Sequence, residues 1–268
     1  HTRFRNVTGV QTCALPILSF VSLATKRRSD YFSQAKTLAR KYKSQPRLEE
    51  RMKAESLGLV RGLRDKQMRW EEYERTLLDK TLTSALASII LGAKDDKIDQ
   101  RLEKAWPIIV GDMLPPLTKF LAETKEYIDS GVLRLGDQTH DFSDSDLLGV
   151  IPGAVALDSS TLEEENPVEE GIAEATQGRA QGKSWLSLVG RVIRYLANPT
   201  FSFFKLGEYL VAQDQGFREM RRVSKHDKKV CKDCNHYDSL GWQPFGTLPM
   251  PGKGCTCYDH CRCYIEYR

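Results

Sequence analysis

The chain has 268 residues, of which 40% are hydrophobic and 28% charged, and its formal net charge is +4. This composition is ordinary for a soluble protein and leaves room for one large or two small domains. No apolar run reaches the roughly 18 to 20 residues that cross a bilayer, so the sequence predicts no membrane-spanning segment.

Residues 1–18 form the first distinct segment. Residues 7–17 read VTGVQTCALPI, which looks like the in-frame translation of a sequencing-library adapter carried into assembled metagenomic reads. That resemblance predicts a non-native leader, and it separates Cys13 from the other six cysteines. If the segment is native instead, its arginines and the apolar run that follows them are typical of a secretory signal peptide.

Residues 19–135 are predicted to form a helical domain. Apolar spacing, caps and following prolines predict helices over residues 29–43, 48–64 and 70–91, with Gly92 ending the third. Residues 95–106 have the pattern of an exposed helix that Pro107 interrupts. Pro115 and Pro116 then begin a further helix that ends at Gly131. We expect these helices to form an antiparallel bundle.

Charge is distributed unevenly along the chain. Residues 26–75 carry 15 basic and 8 acidic side chains, which indicates a solvated basic surface or, alternatively, a nucleic-acid patch. Residues 136–178 carry 11 acidic and no basic side chains. Residues 136–183 are therefore predicted to be an acidic flexible linker. A helical hairpin is predicted over residues 184–227, and its second helix spans residues 201–223.

Residues 228–268 contain six of the seven cysteines. Cys231 and Cys234 form a C-x2-C pair, and a C-x-C-x3-C-x-C cluster follows about twenty residues later. This pattern is close to that of a zinc ribbon, and a segment of roughly forty residues usually needs a metal or disulfides to fold. The predicted fold class is therefore mainly α, a helical bundle with an acidic linker and a small C-terminal zinc-ribbon-like cysteine cluster. The predicted ligands of one structural Zn²⁺ are Cys231, Cys234, Cys257 and Cys261, with Cys255 and Cys263 as alternates.

Three other interpretations of the cysteines remain open, and the simplest is that they are inert reduced thiols. Six is an even number, so two or three disulfides are an alternative. A catalytic role would need a positioned base, and His236 and His260 are the nearby candidates, but no recognised order of catalytic groups accompanies them. No P-loop, dinucleotide-binding or H-E-x-x-H motif is present. The sequence therefore predicts no enzymatic activity.

The last quarter of the chain resembles the C-terminal end of phage minor head (head-morphogenesis) proteins of the Mu F-like group and their prophage relatives. The resembling segments are residues 198–200 (NPT), residues 215–223 (QGFREMRRV), Cys231 with Cys234, residues 241–252 (GWQPFGTLPMPG) and residues 261–268 (CRCYIEYR). Many members of that group place a His-Pro pair before the final C-x-C. Here Tyr258, Asp259 and His260 occupy that stretch, so the resemblance implies Cys257 in place of a histidine ligand and leaves the choice of ligands open.

The resemblance implies a virion structural protein with phage portal and capsid proteins as partners. It implies a location in the virion, and in the host cytoplasm during assembly, with no established enzymatic activity. Basic surfaces leave DNA as a further partner, and the sequence suggests no membrane partner. The first alternative is a zinc-ribbon nucleic-acid-binding protein. The second is a nuclease or peptidase that depends on the metal.

Overall fold

The computed structural model of the chain describes residues 21–22, 24–136, 185–227, 230–256 and 261–268. Within these residues the fold is mainly helical, with a small β-sheet and a cysteine cluster near the C-terminus. This confirms the predicted class of a helical protein with a small cysteine cluster. The predicted leader over residues 1–18 lies outside the described residues, and so does the predicted acidic linker over residues 136–183, apart from Gly136.

Six helices of the described residues build a bundle, and a short helix and three strands follow it. The bundle helices are α1 (Arg28–Tyr42), α2 (Gln45–Arg64), α3 (Trp70–Ala93), α4 (Ile98–Asp129), α5 (Trp185–Leu196) and α6 (Pro199–Asp214). The later elements are β1 (Glu219–Val223), α7 (Lys232–Ser239), β2 (Gln243–Pro244) and β3 (Tyr264–Tyr267). Helices α1, α2 and α3 lie close to the bounds that their apolar spacing predicts.

Helix α3 is the central element of the bundle, because it contacts each of the other five helices. Among the described residues it is the one helix long and apolar enough to cross a membrane by length and composition. However, 67% of its apolar window is buried inside the fold. A helix surrounded by other helices must be apolar on most of its sides, so the bundle accounts for this hydrophobicity.

Helix α4 shows that the predicted break at Pro107 is wrong. The structure has one helix from Ile98 to Asp129, with Pro107, Pro115 and Pro116 inside it. A proline in a helix interior costs about 3 kcal/mol, whereas burying one large apolar side chain contributes about 1.5–3 kcal/mol. Burial outweighs the cost of the prolines here, because one stripe of buried apolar side chains continues through the whole helix. The stripe begins before Pro107, where the sequence predicted an exposed surface. That stripe consists of Leu102, Ala105, Trp106, Ile109, Met113, Leu114, Leu117, Phe120 and Leu121.

Helices α5 and α6 belong to the same hydrophobic core as the first four helices. The sequence predicted a hairpin over residues 184–227 that follows the acidic linker. Buried side chains such as Val189 on α5 and Phe203 on α6 join the core formed by α1 to α4. Helix α5 packs mainly on α2, and α6 packs mainly on α3. In the interior, Ser84 Oγ donates a hydrogen bond of 3.3 Å to the carbonyl oxygen of Leu196.

Two glycines allow α3 and α6 to approach closely. A Cβ on Gly207 would lie 2.3 Å from the carbonyl oxygen of Ile89, and a Cβ on Gly92 would lie 2.0 Å from that of Phe204. The prediction that Gly92 ends α3 is wrong, because the helix runs past it and Lys94 adopts the left-handed conformation that ends the helix. Gly92 therefore serves helix packing rather than helix termination.

Strand β1 replaces the end of the helix predicted over residues 201–223. Helix α6 ends before Gly216, whose φ is +77°, and the chain then becomes extended. Strand β1 is the central strand of a three-stranded sheet of order β2-β1-β3, and it is antiparallel to both neighbours. Arg222 lies opposite Ile265 in this register. The helical prediction fails here because both edges of β1 find partners much later in the chain.

We call residues 218–268 the terminal module, and it is attached to the bundle by several contacts. The ring of Phe245 stacks on that of Tyr209 in α6, with 4.7 Å between centroids. Lys253 forms an ion pair with Asp112 of α4. Phe201, at the start of α6, packs against the cysteine cluster. These contacts join the terminal module to α4 and α6 and place the cysteine cluster beside the start of α6.

Candidate metal centre

The C-x2-C pair lies at the start of α7. Cys231 is the residue immediately before the helix, and its Sγ accepts a hydrogen bond from the backbone N–H of Cys234 at 3.4 Å. A thiol here takes the place of the serine or aspartate oxygen that commonly caps a helix. The resulting turn leaves Cys234 buried in the module, where 1% of its surface is exposed.

Three cysteine sulfur atoms meet inside the terminal module. The Sγ atoms of Cys234, Cys261 and Cys263 all lie within 4.8 Å of one another. Between Cys234 and Cys261 the distance is 3.7 Å. Helix α7 contributes Cys234, and the segment that leads into β3 contributes the other two. The two cysteine clusters, which are separate in the sequence, therefore come together in the fold.

The sequence predicted the ligands Cys231, Cys234, Cys257 and Cys261, with Cys255 and Cys263 as alternates. Cys234 and Cys261 are in the group of three, and the alternate Cys263 completes it. The half-buried Cys231 and the buried Cys255 pack in the same cluster. Cys257 lies outside the described residues. None of the five cysteines described in the module forms a disulfide.

The guanidinium of Arg222 lies among the sulfur atoms. Its Nη2 donates hydrogen bonds to three of them, those of Cys255 at 3.0 Å, Cys261 at 3.1 Å and Cys234 at 3.3 Å. Its Nη1 donates to the carbonyl oxygen of Pro249 at 3.3 Å. Helix α7 packs against β1 and three cysteine sulfur atoms contact the guanidinium, so Arg222 is covered and its exposed fraction is 0%.

The positive charge of Arg222 affects the protonation of the thiols. Burial raises the pKa of Cys261, but the backbone N–H of Cys263 and the charge of Arg222 outweigh burial and lower this pKa to about 7. Burial also raises the pKa of Cys263, and there it dominates. Burial alone would lower the pKa of Arg222, but the hydrogen bond to Cys255 and the charges of the nearby sulfur atoms raise it. The cluster thus contains a thiol that ionises near neutral pH beside a permanent cation.

The arrangement of donors suits a soft metal ion. Thiolates are the preferred protein ligands of Zn²⁺, Cu(I) and iron–sulfur clusters. In a zinc tetrahedron with Zn–S distances of about 2.3 Å, neighbouring sulfur atoms lie about 3.8 Å apart. The distance of 3.7 Å between the sulfur atoms of Cys234 and Cys261 fits this geometry. The group of three can therefore hold a metal ion, and Cys231 and Cys255 pack in the same cluster.

Arg222 is the residue of the site that sequence reasoning missed. It stands in a basic segment beside Arg221, and nothing in a helical pattern distinguishes the two. On a strand, consecutive side chains point to opposite faces. Arg221 accordingly bonds Glu266 at 2.6 Å at the surface, while Arg222 faces the cysteines. A strand assignment for residues 219–223 is the signal that would have separated them.

A serine, a histidine and an aspartate also lie together, at the junction of β1 and α7. Ser224 Oγ lies 3.3 Å from His226 Nδ1, and His226 Nε2 lies 2.9 Å from Asp238 Oδ2. However, the Ser224 hydroxyl donates to Asp238 at 2.9 Å, and 3% of the residue is exposed. A nucleophilic serine must instead donate to the histidine and face the substrate. This group therefore connects β1 to α7 and lacks the geometry of a catalytic triad.

The chain was also compared with known proteins. No family model matches it, and comparisons with curated proteins and with solved structures found no match either.

Proposed function

We propose that this chain is a minor head protein of a phage, a structural component that acts in head morphogenesis, and that a structural zinc ion stabilises its terminal module. One observation carries the proposal. The segments 215–223, 241–252 and 261–268, which resemble minor head proteins, contribute β1, β2 and β3 of a single sheet, and that sheet adjoins the cysteine cluster. Apart from residues 198–200 at the start of α6, the resemblance thus follows one folded unit.

Zinc is the metal that best suits this unit. In the described part of the module, the buried apolar cluster outside the cysteines consists of Met220, Leu248 and Ile265. Such a small core supplies little stability, and domains of this size commonly depend on a metal. A closed site of thiolates is the usual form of a structural zinc centre. The ion would join α7 to the segment that leads into β3.

The burial of the sulfur atoms supports a structural rather than a catalytic role. A catalytic zinc keeps one coordination position open to water. Cys234, Cys261 and Cys263 are between 1% and 4% exposed, so water has little access to them. His236, one of the two histidines considered for catalysis, is exposed on α7 and is not in the group of three. We therefore propose that the protein has no enzymatic activity.

The described side chains also favour assembly over nucleic-acid binding. Several cations of the basic region 26–75 are already paired with carboxylates of the same chain, which reduces their availability to phosphates. These pairs are Arg27–Asp79, Arg28–Glu103, Lys36–Asp99, Arg51–Glu55 and Lys53–Glu49. Trp242, an aromatic candidate for base stacking, lies beneath Arg221 at 5.1 Å and Arg268 at 4.4 Å. Its ring is therefore partly covered by the chain itself.

The test is co-expression with the portal and capsid proteins of the same phage genome. Purified particles should contain this chain in few copies, measured by quantitative mass spectrometry. Cys234→Ser, which removes a proposed zinc ligand, should lower incorporation, whereas Gly58→Ala on the bundle surface should not. If the chain is absent from particles and assembly is unchanged without it, the proposal is wrong. A salt-dependent shift of DNA by the purified chain would then favour the nucleic-acid alternative.

A further inference from the structure

We infer that Arg222 is a positioning residue of the metal site, which gathers the cysteine sulfur atoms and offsets their negative charge so that metal affinity depends on it. The inference rests on the proposed metal-binding function and identifies the residue that tunes it. It is supported by the geometry of the guanidinium, by the charge balance of the buried site, and by the absence of a carboxylate ion pair to Arg222 among the described residues.

One nitrogen atom of the Arg222 guanidinium contacts both cysteine clusters. Arg222 Nη2 lies 3.3 Å from the sulfur of Cys234 in the C-x2-C pair. The same atom lies 3.0 Å from Cys255 and 3.1 Å from Cys261 in the second cluster. Hydrogen bonds from an outer group to a ligand atom orient that ligand and adjust its charge. Arg222 can therefore hold the sulfur atoms of the two clusters near one another before a metal binds.

The charge balance of the site favours a buried cation. Three thiolates around a divalent ion leave one negative charge, which the guanidinium cancels. With a fourth thiolate, the guanidinium reduces two negative charges to one. Uncompensated charge is strongly unfavourable in a buried site. We therefore expect the metal-bound form to be more stable with Arg222 than with a neutral side chain of similar size.

Arg222 itself also needs the thiolates. Among the described residues, no carboxylate forms an ion pair with it, although it is fully buried. Its guanidinium lies 4.9 Å from the ring centroid of Tyr237, and Nη1 bonds the carbonyl oxygen of Pro249. These contacts keep the side chain in place but carry no full negative charge. The sulfur atoms are thus the groups in direct contact with the guanidinium that can carry a compensating negative charge, and a metal holds them as thiolates.

Arg221 offers a matched control in the same strand. It is the preceding residue and has the same side chain, but it lies on the opposite face, where it bonds Glu266 and contacts Trp242. A substitution at residue 221 therefore changes the net charge of the chain and the composition of β1 without touching the sulfur atoms. Any effect specific to residue 222 must come from the contacts at the cluster.

The experiment titrates the full-length chain with Co²⁺, whose absorption bands report tetrahedral thiolate coordination, and then displaces Co²⁺ with Zn²⁺. Arg222→Met should weaken metal binding about 10- to 100-fold, the usual effect of removing an outer-shell partner. Arg222→Lys should restore part of the affinity, because lysine keeps the charge but loses the planar fork of donors. Arg221→Met should bind like the wild type. Far-ultraviolet circular dichroism of each variant checks that the helical bundle is intact.

The outcomes separate this inference from the proposed function. If the wild type gives no thiolate-to-cobalt bands, the proposed metal site does not exist, and the role of Arg222 is refuted together with it. If the wild type binds metal and Arg222→Met binds as tightly, the site stands and the role of Arg222 is refuted. Equal weakening by Arg221→Met and Arg222→Met would also refute it, because a general charge effect would then suffice. Should Arg222→Met fail to fold, Arg222→Lys decides, since unchanged affinity and unchanged bands would contradict a role for the donor fork.

Discussion

Replacing Gly207 with alanine should destabilise the bundle at the crossing of α3 and α6. The added Cβ would lie 2.3 Å from the carbonyl oxygen of Ile89 and 2.9 Å from the backbone nitrogen of Ala93. Favourable contacts between nonbonded heavy atoms lie at about 3.5–4.0 Å. Both obstacles are backbone atoms of a central helix, so they cannot rotate away as a side chain would. The two helices must therefore move apart by about 1 Å, and the core contacts around them loosen.

The expected magnitude follows from two opposing terms. Forcing extra volume into a packed core costs about 1–3 kcal/mol and occasionally more. Replacing glycine by alanine inside a helix recovers about 0.5–1 kcal/mol. Because the clash is with backbone, we expect the upper part of the first range and a net loss of about 2 kcal/mol. Gly58→Ala in α2 is the control, since nothing lies within 4 Å of its Cβ, and it should gain the helical term alone.

Urea unfolding followed by circular dichroism measures both variants. The slope m should be unchanged, and the midpoint should fall for Gly207→Ala and rise for Gly58→Ala. If Gly207→Ala proves as stable as Gly58→Ala, then α3 and α6 do not cross as closely as described, and the reasoning about this interface is refuted. If the same glycine-to-alanine change lowers the unfolding free energy at residue 207 and raises it at residue 58, packing distinguishes the two sites.

Two further predictions concern the metal and an ion-pair network. Chelation should unfold residues 218–268 and leave the bundle folded, because the apparent zinc-binding energy of about 10–16 kcal/mol also stabilises the folded form of such a module. A limited-proteolysis pattern that is identical with and without chelator would contradict this. Hydrogen bonds from Lys104 and Arg101 lower the pKa of Asp214 below its ordinary 3.8. The charged carboxylate therefore stabilises the fold above pH 3.8, and this stabilisation is lost as the pH falls through the lowered pKa. Asp214→Asn should therefore be less stable than the wild type at pH 7 and equally stable in strong acid, as measured by urea unfolding. A difference in unfolding free energy that does not vary with pH would disprove the ion pair.

Local spacing in the sequence determined helices α1, α2 and α3 and the presence of the cysteine cluster. Helix α3 could be predicted because Tyr73, Leu77 and Leu82 recur at a helical period, and that period is a property of neighbouring residues. The meeting of Cys234 with the second cysteine cluster could also be predicted. Thiols at these short spacings are typical of one shared metal site, and a segment so poor in apolar residues needs such a site to fold.

Tertiary contacts decided what local patterns do not contain. Pro107 stays within α4 because the surrounding helices bury side chains on both sides of it, which outweighs the lost hydrogen bond. Residues 219–223 form a strand rather than a helix because β2 and β3, which come later in the chain, pair with both edges. That pairing turns Arg222 to the cysteines and Arg221 to the solvent side. Which sulfur atoms come together, and which cation lies beside them, depends on contacts between residues far apart in the sequence, and no local periodicity encodes those contacts.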